Sequence, residues 1–537
     1  MDQANHEYGV EIDVGVRQPG WHSNLSDVNR ITGFLMSIRK ITMPTPELPE
    51  QFLYNRKGPW PQPSPSHPMI CADEVLNIPP KEEDAFNSKI QGRLNKDVFE
   101  YLPEAAWYVW ENEDWAGPTD ARFDEIMFDT LCTKFLKPLD ERAKRYCKQF
   151  SIPFDENTRK YDFSAMNLVE PLAGTYCAGV ILIIDEDEKK QRKSACIIFI
   201  ETATSPAVCV KPTDSAWSLA KIYALQGASY HVLFVVHPAL HFPMVSVNAI
   251  TKTSLPMAHP IFQLLYPHCS YQLALDYRVL EGAFSVVNND AQGTKYDPLT
   301  ANGFNLKVLF GAGYTGLPAN KYGNAYPVYD YMKPQMGFDS DYGRWLEAYM
   351  KPFLGFCTTV ADFILRSPHL HDYVTRWARY NHTHVLGFPD EKEIFEAGVL
   401  AQVLAIFMWD VTVAHGADHA SYAEKITAVE KCLRIRRAPP KSADEPPVKS
   451  GEIFDIYDLG RASLCQYVFF KTWAIEPNLN DTTYAFTDKE LVGAAKKFRQ
   501  ELTELSQRRD IHQYMPLTPS ESDNVPYGDT IPQSIQY

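Results

Sequence analysis

Two histidine pairs are the residues most able to do chemistry in this sequence. His237 and His241 lie in "YHVLFVVHPALHFPMVSVNAI" (230–250), a stretch without a charged side chain, and His415 and His419 lie in "IFMWDVTVAHGADHASY" (406–422). Each pair is spaced i, i+4, which on a helix places both imidazoles on one face, about one turn apart. Neutral imidazole is a common ligand for divalent first-row metals, and helical pairs at this spacing reach one ion readily. Either pair alone is an ordinary core or surface feature, because no third ligand is implied. Two pairs on two apolar segments are different. A buried imidazole without a partner costs about 1–3 kcal/mol, and one shared ion would satisfy all four.

The segments that must position these residues are long and apolar. From Ile222 to Thr251 no Asp, Glu, Lys or Arg occurs, which is enough chain to span a bilayer. That run also holds His231, Gln226, Asn248, Pro238 and Pro243, all costly or awkward in lipid. It therefore reads as the centre of a large core and not as a membrane span. Pro238 follows His237 directly and removes a helix hydrogen bond, so a kink or bulge is expected there.

Composition narrows the partners. The chain has 537 residues, 45% of them apolar, and a net charge of −15 with no basic block, so nucleic acid is not an expected partner. The amino terminus lacks the basic and apolar regions of a secretory signal. Ten scattered cysteines form no CxxC pair, which suits a reducing compartment, and a cytoplasmic location is expected. "GAGYTG" (311–316) matches a GxGxxG pattern, but "LPANKYGN" follows it and cannot start the helix a phosphate cradle needs.

Along the chain, the first hundred residues read as irregular and turn-rich. The runs "GTYCAGVILIID" (174–185) and "SACIIFIET" (194–202), joined by "EDEKKQRK", predict a β-hairpin with a solvated tip. Helical spacing then dominates at 215–233, 345–366, 391–414 and 489–507. "RRAPPKSADEPPVKS" (436–450) predicts a surface insertion open to disorder. The tail ends in a semi-apolar "IPQSIQY", odd for a free terminus.

At this point the sequence resembles a known family. "WSLAKIYALQGASYH" (217–231), His241 and "HPIFQLLYPH" (259–268) are similar to the iron-helix region of lipoxygenases. "HVLGFP" (384–389) with "AHGADHASY" (414–422), and the ending "TIPQSIQY", look like two further lipoxygenase blocks in the same order. The resemblance implies a mainly α fold: one large helical lipoxygenase-type catalytic domain with a small β-hairpin or sheet subdomain. Residues 1–160 would form its irregular amino-terminal part and 161–537 the helical core with the metal site. The length fits a short, fungal-type member without the amino-terminal β-barrel. The family's ligand positions fall on His237, His241, His415 and His419, with the carboxylate of Tyr537 as the terminal ligand, around one non-heme iron or manganese ion.

The activity so implied is insertion of dioxygen into a polyunsaturated fatty acid or related polyene, giving a hydroperoxide. Three positions depart from the family. Val245 stands where a glutamate is usual, Tyr537 where Ile or Val ends the chain, and Val279 at the oxygen-steering Ala/Gly position. These departures keep two alternatives open: oxidation, isomerisation or cyclisation of a polyene natural product, or a metal-free binder of a hydrophobic ligand. His231 and His268 are expected as satisfied core histidines beside the ligands. Asp410 would either orient a ligand imidazole or lie on an exposed helix face.

Overall fold

A computed structural model describes residues 107–535, apart from short breaks and the stretches 273–339, 460–477 and 511–530. The chain enters through helix α1 (Asp120–Asp129), whose first turn is capped by the Thr119 hydroxyl accepting from the Arg122 amide. Helix α2 (Glu141–Gln149) follows, capped in the same way by Asp140. Five strands then build one antiparallel sheet in sequence order: β1 (Lys137–Pro138), β2 (Arg159–Asp162), β3 (Val180–Glu186), β4 (Arg192–Phe199) and β5 (Val208–Val210).

The predicted hairpin is the centre of this sheet. Val180 pairs with Phe199 and Glu186 with Arg192, with one register shift at Ile183/Ile184. The sheet is wider than the hairpin because β1, β2 and β5 join its edges, and strands of two to four residues are too short to show a period. β3 lacks the usual apolar–polar alternation because both of its faces are covered. Val180, Leu182 and Ile184 join the main helical core, whereas Ile181, Ile183, Cys196 and Ile198 pack with Ala143, Tyr146 and Cys147 of α2.

The uncharged run forms two helices: α3 (Trp217–His231) and α4 (His237–Ser254). Pro238 falls in the first turn of α4, and Val232 and Val236, on either side of the junction with α3, are π-helical, as the expected bulge requires. Every residue of α3 except Ser218 is buried. Its face toward the sheet sets Tyr223 edge-on to Phe199, with ring centroids 5.5 Å apart. The short α5 (Pro260–Leu265) begins after His259, whose Nδ1 accepts from the Ile261 amide as an N-cap.

Helix α6 (Asp341–Leu365), started by the Ser340 hydroxyl on the Gly343 amide, runs along α8 (Val399–Trp409) and α10 (Lys489–Ser506). Between them in sequence, α7 (His371–His384) packs on α4. After α8 the chain makes a π turn (Asp410–Ala414), then α9 (His415–Ala420), then a second π turn (Ser421–Lys425). Among the described residues, one helical run, Val399–Ala420, is long and apolar enough to cross a membrane, and 89% of its apolar window is buried inside the protein. It is a core helix.

Segment 436–450, read from composition as a surface insertion open to disorder, is folded. Arg437 ties it together by donating to Glu452 and to the carbonyls of Pro446 and Pro447. Tyr223 donates to the Arg437 carbonyl, and the Ala216 amide donates to Ala443. A single arginine serving three acceptors is a tertiary arrangement that local composition does not announce.

Close packing of α3 on the chain entering the sheet leaves no room at Gly227. A Cβ there would lie 2.4 Å from the Phe163 Cβ. Ala is favoured over Gly in a helix by about 1 kcal/mol, but overpacking costs about 1–3 kcal/mol. Gly227→Ala is therefore expected to lower the unfolding midpoint measured by thermal denaturation.

Candidate metal centre

The sequence-predicted histidines meet where α4 crosses α9. His241 lies near the start of α4, and His415 and His419 lie on one face of α9; all three are buried. His241 Nε2 is 2.8 Å from His415 Nε2, and the rings of His415 and His419 have centroids 4.4 Å apart. One nitrogen from each of the three lies within 4.8 Å of the other two. The π turn before His415 adds one residue to a helical turn, which rotates all that follows by about 100° relative to α8. The aim of both α9 imidazoles depends on it.

Burial alone pulls His241 down to about 3 from an ordinary 6.5, so its imidazole is neutral at any physiological pH. Adjacent ligands on one ion at about 2.1 Å sit about 3 Å apart, close to the observed His241–His415 spacing. A donor set of three buried imidazoles thus fits a divalent first-row metal. Of the other predicted ligands, Tyr537 lies outside the described residues, as does the side chain of His237, whose backbone opens α4. Val279 and the side chain of Val245 are likewise outside them.

The tail approaches this centre. Ile531, Ser534 and Ile535 are buried, and the Leu479 amide donates to the Ile531 carbonyl. A Cβ on Gly416, between the two α9 histidines, would meet Pro532 at 3.5 Å. His268 pins the same segment. Its Nδ1–H donates to the Gln533 carbonyl at 2.7 Å, which leaves Nε2 to accept from the Tyr484 hydroxyl at 2.9 Å. His231 is a core residue: Nδ1–H donates to the Gly227 carbonyl, and the ring stands edge-on to Phe135 and Phe163.

Asp410 meets neither expectation. It is fully buried in the π turn, and its carboxyl makes no hydrogen bond among the described residues, so it does not orient a ligand imidazole there. Desolvation pushes its pKa well above the usual carboxylate range.

Sequence reasoning missed a buried ion pair beside the centre. Lys134 Nζ reaches both Asp418 oxygens, at 2.7 and 2.8 Å, and the Tyr342 hydroxyl donates to the same carboxylate. Asp418 lies between the α9 histidines, and the Ser421 hydroxyl accepts from the Leu131 amide one turn on. The turn Leu131–Phe135 is thereby stitched to the helix that carries His415 and His419. On the other side, Gln272 donates to the His241 carbonyl while accepting from Asn248, both fully buried. Nothing local in the sequence signals the Lys134–Asp418 pair, since its partners lie 284 positions apart.

No protein-family model matches the sequence, and no curated protein matches it. Solved structures do. A lipoxygenase variant, "Delta413-417:GS I805W LOX", is 16% identical over 88% of this chain and 79% of its own, with a TM-score of 0.62. A related variant, solved anaerobically in complex with arachidonate, is 16% identical over 97% and 83%, with a TM-score of 0.62. The coral 8R-lipoxygenase is 16% identical over 96% and 81%, with a TM-score of 0.61. The chain has a lipoxygenase-like fold: helix-rich, with a small antiparallel sheet, as the sequence resemblance implied.

Two outcomes follow from this geometry. Lys134→Ala leaves the Asp418 carboxylate buried without its cation, and unfolding stability should fall by about 3–5 kcal/mol in denaturant titration. The second concerns pH. Burial lowers His231 and His268 to about 4 and His241 to about 3. Between their unfolded value of 6.5 and these folded values the unfolded chain binds more protons, so stability rises with pH in that window. Chelator-treated protein should lose stability progressively as pH falls from about 6.5 toward 4, read from melting temperatures across a pH series.

Proposed function

We propose that this chain is a non-heme metal oxygenase of lipoxygenase type. His241, His415 and His419 would hold one iron or manganese ion, with His237 and the Tyr537 carboxylate completing the set. The observation that carries the reading is the convergence of three buried imidazoles from two helices within a lipoxygenase-like fold. When bound, such an ion would supply one-electron chemistry, accepting an electron as hydrogen leaves a doubly allylic carbon and returning it, with the proton, once dioxygen has added to the substrate carbon radical, so that a hydroperoxide forms without an external reductant.

The chain's own residues supply the rest. Packing around α4 and α9 keeps the imidazoles dry, so their lone pairs are not lost to protonation. Lys134, Asp418 and Tyr342 hold α9 in place, while His268 and Tyr484 hold the tail that leads to the terminal carboxylate. A fatty-acid substrate is supported by the neighbour solved with arachidonate, and a related polyene fits the same chemistry.

The test is elemental analysis of the purified protein, together with oxygen uptake and conjugated-diene absorbance on linoleate and a panel of polyenes. About one iron or manganese per chain and diene formation are expected. His415→Ala should lose both, and full activity in that variant would remove the assignment. Metal without oxygen uptake would instead favour isomerisation or cyclisation, and absence of metal would favour a hydrophobic-ligand binder.

A further inference from the structure

The carboxyl end of α4 carries an apolar turn that no part of the metal centre uses. The His259 amide donates to the Pro256 carbonyl, closing a β-turn with Met257 and Ala258 at its centre. Turns in water normally place Gly, Asn, Asp or Ser at such positions. Here the tip is Met257, 75% exposed, while Leu255 and His259 on either side are buried and fix the turn in place.

Two exposed tyrosines share this end of the molecule. Tyr373 at the start of α7 stands against His259, with ring centroids 5.8 Å apart, and Tyr266 stacks on Phe262 of α5. Each ring carries a cation. The Arg376 guanidinium lies 5.5 Å from the Tyr373 centroid and donates to the Ser254 carbonyl; Lys252 Nζ lies 5.6 Å from the Tyr266 centroid. In a chain of net charge −15, the segment 252–269 contains no Asp or Glu, and Asp372 on α7 is the acid nearby.

An apolar tip flanked by amphipathic rings and cations matches the bilayer interface. Tyr sits at headgroup depth, Lys and Arg keep their charge at phosphate level, and a short apolar turn enters the acyl boundary. A protein partner fits less well. A stable interface needs about 800 Å² from each side, whereas an inserting turn needs only a few side chains. We infer that the Met257 turn, with Tyr266, Tyr373, Lys252 and Arg376, is a docking surface for an anionic lipid bilayer.

This inference stands apart from the oxygenase reading and is tested without substrate. Purified full-length protein is sedimented with vesicles of phosphatidylcholine alone and of phosphatidylcholine with added phosphatidylserine. Binding is expected to the anionic vesicles and to weaken as salt rises. Met257→Glu should reduce it at least about tenfold, and Arg376→Gln about fivefold. Met257 is exposed, so its variant should melt like the parent, which separates lost docking from lost folding. Wild-type protein that stays in the supernatant with both vesicles, or Met257→Glu that binds as the parent does, overturns the proposal. So does a dimer that dissociates in Met257→Glu without vesicle binding, since it assigns the face to a second copy of the chain.

Discussion

The structure depends on keeping several imidazoles uncharged in a dry interior. With His241 and His415 nitrogens 2.8 Å apart, two positive rings would repel by about 6 kcal/mol even at an effective dielectric of about 20. A protein of ordinary stability has only about 5–15 kcal/mol in total, so protonation of this pair competes directly with folding. Neutral rings bring a second condition. Each has one N–H and one lone pair, so two Nε2 atoms can both face an ion only if both protons sit on Nδ1. The packing of α4 against α9 thus fixes not only the position of the donors but also the form in which they can act.

That packing is enforced from outside the histidines themselves. The Lys134–Asp418–Tyr342 group ties α9 to the turn after α1, and Gln272 with Asn248 ties the backbone of His241 to the chain beyond α5. A third tie, His268 to Gln533, anchors the carboxy-terminal segment, whose Pro532 lies beside Gly416 of α9, to the turn after α5. Each tie joins residues far apart in sequence, so the centre is held by the tertiary fold and not by one supersecondary unit. The buried ion pair is costly to desolvate. Its role in this arrangement is specificity of position, since a hydrophobic replacement would pack α9 without fixing its rotation.

Legibility in the sequence followed the range of the interaction. The β3–β4 hairpin and helices α3, α6, α8 and α10 were readable because hydrophobic period is a local signal. His241, His415 and His419 were readable because an i, i+4 pair in an apolar helix is unusual without a function, and the tail because its apolar ending was out of place. The Lys134–Asp418 pair, the edge strands and the Arg437-centred fold of 436–450 were not, since each is set by partners that only the tertiary structure brings together. Asp410 shows the other limit: spacing suggested two settings for it, and burial in a π turn is neither. The side chain of His237 and Tyr537 itself lie outside the described residues.

The π turns connect these observations. An uninterrupted α-helix from Val399 would carry His415 around by about 100° from the direction it takes after the extra residue in Asp410–Ala414. The extra residue leaves one helical turn with weaker hydrogen bonding, and it falls where the Asp410 carboxyl is also without a hydrogen bond among the described residues. Two unfavourable features at adjacent places persist only where the surroundings over-determine them. The surroundings here are the ties on α9 just described, all of which act on the side of the turn that carries the histidines. The distortion and the ties are therefore parts of one device: the turn aims the imidazoles, and the buried polar groups prevent the helix from relaxing back.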